Sequence, residues 1–349
     1  MRIEQRERAH ATTVVAAGLA ACLLIFLAGS LLIMAAHAPV WASWLALLEG
    51  AVGSRIAISE VLTRATPLTL TGLACAVAFR ARLWNIGAEG QLYAGALAVA
   101  ALGTGWLPVL PSGVLIVLLL LVGAGAGGLY LLGPALLKRF MNVDDVVTTL
   151  LLNFVMLLLV SLLIQGPMRD PMSLGWPQTM AVLEAATLPP LMERTRLHTG
   201  LLIALTCALL AALVEARSSF GLQRRAVGLN TQAARFAGIS TTRIVVWTAL
   251  WSGGLAGLAG AVEVMGLRGF VSGDLSPGFG YTGVIIAMLA RLHPAGVPLA
   301  AFAVAALSVG ADTMGRAFNV PSYMADVIVA LSLFVMLGAT FLLSYRIKR

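Results

Sequence analysis

Charged residues make up only 11% of this chain, whereas a soluble domain of similar length carries about a quarter. Hydrophobic residues account for 60% of the 349 positions. Apolar stretches of roughly 18 or more residues recur, and each can cross about 30 Å of hydrocarbon. Residues 13–36, 113–137 and 323–343 are clear examples. The composition therefore excludes an ordinary soluble protein and predicts an all-α polytopic membrane protein.

Residues that bind metals or phosphates are also rare. Cys22, Cys75 and Cys207 lie inside apolar runs without metal-ligand spacing, so we predict neither a disulfide framework nor a metal site. A phosphate-binding loop needs a glycine-rich turn that ends in lysine. The chain has two lysines, Lys138 and Lys348, and neither follows such a turn. Since no nucleophile stands beside a base either, an enzyme is disfavoured, and any ATP must be bound by another chain.

Ionisable residues avoid the middle of the apolar stretches. Glu263, Asp312 and Asp326 lie near the ends of their stretches, and every histidine is terminal or in a loop. Proton-coupled transporters usually keep a carboxylate or histidine inside the membrane, where its burial is costly. The pattern disfavours a self-contained secondary transporter and is typical of a pathway whose energy comes from elsewhere. A channel or scaffold without coupled energy is the other alternative.

Hydropathy predicts about ten membrane segments. They cover 13–36, 61–79, 86–102, 113–137, 146–165, 199–216, 244–265, 279–290, 296–313 and 323–344. The third and eighth segments are short or begin in glycine-rich sequence, so we expect them to be broken or partly re-entrant. A single transmembrane domain over 13–345 would leave short tails at 1–12 and 346–349.

The basic residues orient these segments. With the N-terminus in the cytoplasm, 16 of the 23 Lys and Arg residues fall on the cytoplasmic side, as the positive-inside rule requires. Both tails are then cytoplasmic. This topology also explains the net charge of +8, so we expect a lipid bilayer and no nucleic acid as a partner.

Two junctions in the chain resemble each other. "AFRARLWNIGAEGQ" joins segments two and three, and "VMGLRGFVSGDLSPGFGYTG" joins segments seven and eight. The first lies on the cytoplasmic side and the second outside, which is the arrangement of an inverted-topology repeat. The alternative is that glycine-rich turns are common to polytopic proteins.

Two loops are long. The outer loop, 166–198, is rich in Pro and Met, and the cytoplasmic loop, 217–243, carries five arginines and no acidic residue. Within the latter, "TQAARFAG" has helical character, and its small residues would let a helix seat closely in a groove on a partner protein. A helix lying on the membrane surface is the alternative, but it needs a bulky apolar face, which only Phe236 and Ile239 supply.

At this loop the sequence resembles the permease subunits of ABC importers. "QAARFAG" is similar to their EAA-x-x-x-G coupling loop, with Gln232 in place of the glutamate, although the Ile-x-Leu-Pro of the fuller signature is absent. Other stretches resemble the nucleoside and simple-sugar branch, which is related to ribose and branched-chain amino-acid permeases. They are "RATPLTLTGLACAVAFRARLWNIGAEGQ", "VVTTLLLNF", "RAVGLNTQAARFAGI", "SGGLAGLAGAVEVMG" and "GVIIAMLARLHPAGV", and they cover most of residues 64–300.

The resemblance implies a type II ABC importer-like fold in a bacterial cytoplasmic (inner) membrane. The chain would work with a second permease, two cytoplasmic ATPases and an extracytoplasmic binding protein. The second permease would be non-identical, as is usual in the family. The ATPases would hold ATP and Mg²⁺, so we expect no cofactor on this chain. The motifs favour a nucleoside as substrate, with a simple sugar such as ribose or deoxyribose as the alternative.

The same resemblance implies which residues touch the ATPase. In the family, the coupling loop sits in a cleft of the ATPase and transmits closure of the nucleotide-bound dimer. The matching positions here are Gly228, Asn230, Gln232, Ala233, Ala234 and Gly238. Their role would be mechanical, so small size and a defined turn matter more than reactive groups.

Glu89 stands between two glycines at the start of segment three. Asn85 is the predicted N-cap of this helix, and Glu89 falls in the first turn, where the helix dipole favours a negative charge. Arg80 and Arg82 are close enough in sequence to pair with it. The alternative places Glu89 and Gln91 in the transport pathway, on a half-helix that dips into the membrane.

Segment five offers a polar face for a pathway. Thr149, Asn153 and Met156 occur at i, i+4 and i+7 and so share one side of the helix. The resemblance implies that the fifth helix lines the central pathway. Alternatively, Thr149 and Asn153 join helices to one another, as polar residues often do in lipid. The sequence leaves both interpretations open.

Overall fold

The computed structural model describes residues 2–5, 11–105 and 110–348. Thirteen α-helices run through this part of the chain. They are α1 (Ala11–Ala35), α2 (Val40–Val52), α3 (Arg55–Phe79), α4 (Ala88–Gly103), α5 (Ser112–Met141), α6 (Asp145–Gln165), α7 (Gly200–Arg217), α8 (Ser219–Leu229), α9 (Thr231–Phe236), α10 (Thr241–Glu263), α11 (Phe279–Leu289), α12 (Val297–Phe318) and α13 (Ser322–Ser344). Each predicted membrane segment coincides with one of these helices, so the mostly helical, polytopic architecture is confirmed.

Seven helices in the described residues are long and apolar enough to cross a membrane. They belong to α1, α3, α5, α6, α7, α10 and α12. Shorter apolar helices are Val40–Val52, Phe279–Leu289 and Tyr323–Ala339. α4 has 16 residues, fewer than the roughly 20 of a full crossing. α4 and α11 are therefore both short, and the total of about ten membrane segments stays a prediction.

Three features escaped the hydropathy prediction. α2 lies between the first two predicted segments, and its 13 residues are apolar but too few for a span. α3 begins at Arg55, before the predicted start at residue 61. The tails also contain two short strands, β1 (Arg2–Gln5) and β2 (Tyr345–Lys348), which pair antiparallel. The two ends of the chain therefore lie side by side.

The chain divides into two compact units. One contains residues 1–61 and 302–349, and the other contains residues 62–301. In the first unit, helices α1, α2 and α13 and most of α12 surround a buried apolar core. This core consists of Ile33, Leu47, Ala311, Met314, Ala325 and Ile328. The second unit contains the motifs that the sequence analysis singled out.

The second unit is built on three helices that touch through glycine. A Cβ at Gly127 of α5 would overlap the carbonyl oxygen of Gly253 in α10, and a Cβ at Gly257 would overlap that of Gly123. Gly95 of α4 approaches Gly257 in the same way. Small residues let backbones come this close, and such packing is a main source of helix association in lipid, where no hydrophobic force drives it. Helices α4, α5 and α10 thus form a tightly packed base.

The loop of residues 166–198 folds back onto the end of α10. There α10 continues as a π-helix, Val264–Arg268. The backbone N–H groups of Val182 and Leu188 donate to the carbonyl oxygens of Gly269 and Met265, each at 2.8 Å. These bonds satisfy part of the backbone of the loop and of the π-helix together.

His198, the last residue of the 166–198 loop, is a buried packing residue. Its ring lies against Gly200 and Gly266, and its Nδ1 accepts a hydrogen bond from the Gly200 N–H at 3.2 Å. Burial lowers the pKa of His198 to about 4. The imidazole is therefore neutral at physiological pH.

Gly127→Ala should destabilise the protein, because the new methyl group would push α5 away from α10. We expect a loss of about 1–3 kcal/mol, as is typical of overpacking, and a lower midpoint of thermal unfolding in detergent. Gly125→Ala is the matched control, since a Cβ at Gly125 meets nothing within 4 Å. Equal midpoints for the two variants would contradict the glycine contact.

Candidate functional site

The connection from α3 into α4 and the first turn of α4, residues 80–91 and hereafter the hub segment, are largely buried, and residues 80–87 are irregular backbone. Side chains of α6 pair with its polar groups. Asn153 accepts a hydrogen bond from the Gly90 N–H at 2.8 Å and donates one to the Ile86 carbonyl at 2.9 Å. Thr149 accepts from the Ile86 N–H at 3.2 Å. Buried backbone without water needs such partners, so α6 holds the hub segment in place.

Asp145 extends this contact to the start of α6. Its carboxylate accepts hydrogen bonds from the Trp84 N–H and from the Lys138 ammonium group, each at 2.6 Å. Lys138 lies in the last turn of α5. The hub segment is therefore tied to α5 as well as to α6.

A pair of side-chain amides closes the inner side of the hub segment. Asn85 donates to Gln91 at 2.9 Å, and Gln91 donates back to Asn85 at 2.7 Å. Asn85 also donates to the Ser252 hydroxyl of α10 at 2.9 Å, and Ser252 donates to the Ala74 carbonyl of α3 at 2.7 Å. This network joins α3, α4 and α10 through buried polar groups that satisfy one another.

Glu89 lies where the N-termini of the two short helices meet. A Cβ at Gly280 of α11 would overlap the Glu89 backbone nitrogen of α4. The Glu89 carboxylate, which is only 3% exposed, accepts a hydrogen bond from the Gly280 N–H at 2.6 Å. Helix N-termini carry partial positive charge. The carboxyl group of Glu89 therefore caps α11 from the first turn of α4, where the two helix N-termini meet.

The loop before α11 is fixed by polar residues that the sequence analysis missed. The Ser276 hydroxyl accepts from the Phe279 N–H at 2.9 Å. The Tyr93 hydroxyl donates to the Gly273 carbonyl at 2.9 Å, and Thr71 donates to the Phe279 carbonyl at 3.0 Å. Thr71 and Tyr93 are polar residues inside apolar segments, and this was the available signal.

The expected ion pair of Glu89 with Arg80 was wrong. Arg80 binds Glu215 instead, because the carboxylate of Glu89 turns toward α11. Asn85 is not the N-cap of α4, since Gly87 occupies that position without a side-chain cap. The side-chain oxygen Oδ1 of Asn85 accepts a hydrogen bond from the Gly87 N–H at 3.0 Å, inside the hub segment.

The residues predicted for the pathway are all buried. Met156 is 4% exposed, and Thr149, Asn153, Gln91 and Glu89 are buried with hydrogen bonds to the chain itself. The observed bonds are those of residues that join helices. A direct contact of these residues with the transported solute stays a prediction.

The 217–243 loop contains two capped helices. The Ser218 hydroxyl accepts from the Gly221 N–H at the start of α8, at 3.0 Å. Asn230 starts α9, where its side chain accepts from the backbone N–H groups of Gln232 and Ala233, each at 3.0 Å. Asn230 is thus an N-cap that fixes the angle between α8 and α9.

One face of this loop is packed against the protein itself. A Cβ at Gly228 would overlap the Arg80 carbonyl oxygen, so α8 touches the hub segment directly. Ala234 is 4% exposed and packs with Val227 and Ile244. Gly228 and Ala234, which the resemblance placed at the ATPase contact, therefore face inward because they fasten the loop to its own chain.

The other face is open and carries large apolar side chains. Phe236 is 93% exposed and Leu229 is 77% exposed. Gln232 and Ala233 are exposed beside them. Gly238 follows α9 with a φ of +80° and an open space around it, a backbone conformation that favours glycine. Phe236 and Leu229, which were not among the predicted contact residues, thus dominate this surface.

Glu215 anchors the loop from the end of α7, and sequence reasoning missed it entirely. Its buried carboxylate forms ion pairs with Arg80, Arg224 and Arg225. Arg224 is fully buried and lies over the rings of Phe220 and Trp251, with guanidinium-to-centroid distances of 5.9 and 5.1 Å. An acidic residue in the last turn of an apolar segment was the one available signal.

Comparison with known proteins shows similarity over most of the chain. The profile of a family described as branched-chain amino acid transport system / permease component matches residues 57–340. The glucose ABC transporter permease of Haloferax volcanii is 36% identical over 307 residues, which are 84% of this chain and 79% of the relative. No solved structure matches the chain significantly.

Two further relatives carry the names of nucleoside transporters. The guanosine ABC transporter permease of Bacillus subtilis is 34% identical over 316 residues, which are 90% of each chain. The nucleoside ABC transporter permease of Lactococcus lactis subsp. cremoris is 30% identical over 318 residues, or 88% of this chain and 86% of the relative.

Thr149→Val should destabilise the protein, because it leaves the partly buried Ile86 N–H without its partner. We expect a loss of about 1–3 kcal/mol, measured as a lower thermal unfolding midpoint in detergent. Thr148→Val is the matched control, since the Thr148 hydroxyl donates only to the Asp144 carbonyl at the start of its own helix. If Thr149→Val kept its unfolding midpoint but impaired transport, the result would support the interpretation that Thr149 lines the transport pathway.

Proposed function

This chain belongs to the family of permease components of branched-chain amino acid transport systems, and we propose that it forms half of the translocation pathway of an ABC importer. The similarity to ABC permeases across 84–90% of the chain carries this proposal. The chain would pair with a second, non-identical permease and receive its solute from an extracytoplasmic binding protein. The complex would lie in a bacterial inner membrane, with both tails of this chain in the cytoplasm.

Energy would come from a separate chain. The sequence offers no glycine-rich turn that ends in lysine, so ATP and Mg²⁺ would be held by two cytoplasmic ATPases. A permease without its own nucleotide site needs a surface through which the ATPase acts. The 217–243 loop supplies such a surface.

The exposed face of the 217–243 loop would dock into the ATPase. Phe236 and Leu229 are large apolar side chains that lie open to solvent, and aromatic residues are common anchors of protein interfaces. Gln232, Ala233 and Gly238 would contact the ATPase beside them. Gly228, Asn230 and Ala234 would shape this surface from within.

The hub segment would border the pathway. Its two short neighbours, α4 and α11, start at a common buried point and follow the two related junctions of the sequence. Half-helices that meet in this way are typical of inverted-repeat transporters, in which the site lies at the repeat interface. We infer that Glu89, Gln91, Thr149, Asn153 and Met156 set the shape of the pathway at this point.

The transported solute would be a nucleoside. Relatives that are 34% and 30% identical are named as permeases for guanosine and for nucleosides. The "WNIGAEGQ" and "TTLLLNF" stretches favour the same branch. A simple sugar is the second candidate, because the glucose permease relative is 36% identical.

Capture of the tagged chain from its native membranes in mild detergent tests the proposed assembly. We expect an ATPase and a second permease to be captured with the chain. Met172→Asp is the control and should lose neither, since it changes an 85% exposed residue of the outer loop. Phe236→Asp should reduce the captured ATPase by about tenfold, as loss of an interface anchor does. Uptake without ATP and without any captured ATPase would refute the importer.

Uptake of labelled guanosine into right-side-out vesicles, with the ATPase and ATP inside and the binding protein outside, tests the substrate. Excess unlabelled nucleosides should block the uptake, whereas glucose and ribose should not. Uptake of labelled glucose that nucleosides leave unchanged would favour the sugar permease instead.

A further inference from the structure

We propose that Glu215 and Arg80 transmit movement of the 217–243 loop to the hub segment, and that they are positioning residues for coupling. The inference rests on the proposed function, since it concerns how a docked ATPase acts on this chain. Its basis is a buried ion cluster that joins the loop to the part of the protein that holds the short helices.

The cluster places three guanidinium groups around one carboxylate. Arg80 from the hub segment and Arg224 from α8 each pair with a different oxygen of Glu215, at the end of α7. Arg225 also pairs with this carboxylate, at 3.3 Å, but its side chain is 47% exposed. The side chains of Arg80 and Arg224 are 17% and 0% exposed. The buried pairs therefore link α8 to the hub segment through a single acidic residue.

Backbone packing prevents α8 from moving by itself. A Cβ at Gly221 would crowd the backbone of Glu215, and a Cβ at Gly228 would overlap the Arg80 carbonyl oxygen. Arg224 lies between these two glycines on the same buried face. The backbone of α8 thus packs against Glu215 and against Arg80, and its Arg224 forms an ion pair with Glu215. A displacement of α8 therefore displaces Glu215 and Arg80 as well.

Arg80 connects the ion cluster to two other parts of the protein. Its Nε donates to the Leu292 carbonyl, just after α11, at 2.8 Å. It also begins the hub segment, whose Gly90 and Ile86 are bonded to Asn153 of α6. Arg80 therefore contacts the chain directly after α11 and is continuous with the segment that leads into α4.

An ionic link suits this task because breaking it is costly. Arg224 is fully buried, and a buried charge that loses its partner is strongly destabilising. The pair between α8 and Glu215 would therefore persist while the loop moves. Arg80 keeps some solvent contact. Its pair with Glu215 can therefore be removed while the buried charges of Glu215 and Arg224 still have each other as partners.

Arg80→Gln and Arg225→Gln form a matched pair for the test, since each removes one arginine from the same carboxylate. The complex of this chain, the second permease and the ATPase is reconstituted in liposomes with the binding protein. ATP hydrolysis and guanosine uptake are measured together. We expect Arg80→Gln to keep ATPase capture and hydrolysis while uptake per ATP hydrolysed falls about tenfold, a usual size for a coupling residue. Arg225→Gln should resemble the unaltered chain, and Arg80→Lys should recover part of the ratio.

Equal uptake per ATP in Arg80→Gln and Arg225→Gln would overturn the proposal. Loss of ATPase capture in Arg80→Gln would also overturn it, because the cluster would then shape the docking surface and not transmit movement. Failure of the unaltered chain to capture an ATPase would refute the proposed function itself, and it is visible before any variant is compared.

The double variant Glu215→Gln with Arg224→Gln provides an independent check. It removes the whole ionic link together with the fully buried charge of Arg224, and it leaves Arg80 with its hydrogen bond to the Leu292 carbonyl. We expect it to fold, judged by a single symmetric peak in size-exclusion chromatography, and to lose uptake per ATP as Arg80→Gln does. A folded double variant with an unchanged ratio would count against transmission through this cluster.

Discussion

Irregular backbone among apolar helices must find all its hydrogen-bond partners inside the protein, and this requirement governs the second unit. The hub segment is such backbone, and Asn153, Thr149 and Asp145 supply its partners from one face of α6. Water is absent from the hydrocarbon region, so an unpaired amide there is expensive. Polar residues in α6 thereby have a structural task that precedes any contact with a solute.

The same requirement explains the meeting of α4 and α11. Two helix N-termini that point at one buried place would leave free N–H groups and an unbalanced positive field. Glu89 supplies the missing partner, since its carboxyl oxygen accepts a hydrogen bond from the Gly280 N–H. The close approach of the helices is possible because residue 280 is glycine. A broken-helix junction in this protein is therefore stabilised by its own carboxylate.

The 217–243 loop combines two surfaces of opposite character. Its inner face is held by backbone packing at Gly228 and by the ion pairs of Glu215, while its outer face exposes Phe236 and Leu229. A loop that transmits movement from a partner needs a firm attachment to its own chain on one face and a contact surface for the partner on the other. The loop has the firm attachment in its own chain, and the exposed apolar residues are what a partner would bury.

The sequence alone determined the helical segments, because a bilayer demands apolar runs of a given length, and hydropathy reports them without knowledge of any contact. It also carried the family motifs. Only the tertiary structure decided which charges meet: Glu89 turned to Gly280, which is 191 residues away, and Arg80 turned to Glu215, which is 135 residues away. Sequence proximity favoured Arg80 for Glu89, but in a packed helix bundle the partner of a buried charge is set by which helices touch. That choice is made by shape, through glycines that let α4, α8 and α11 approach.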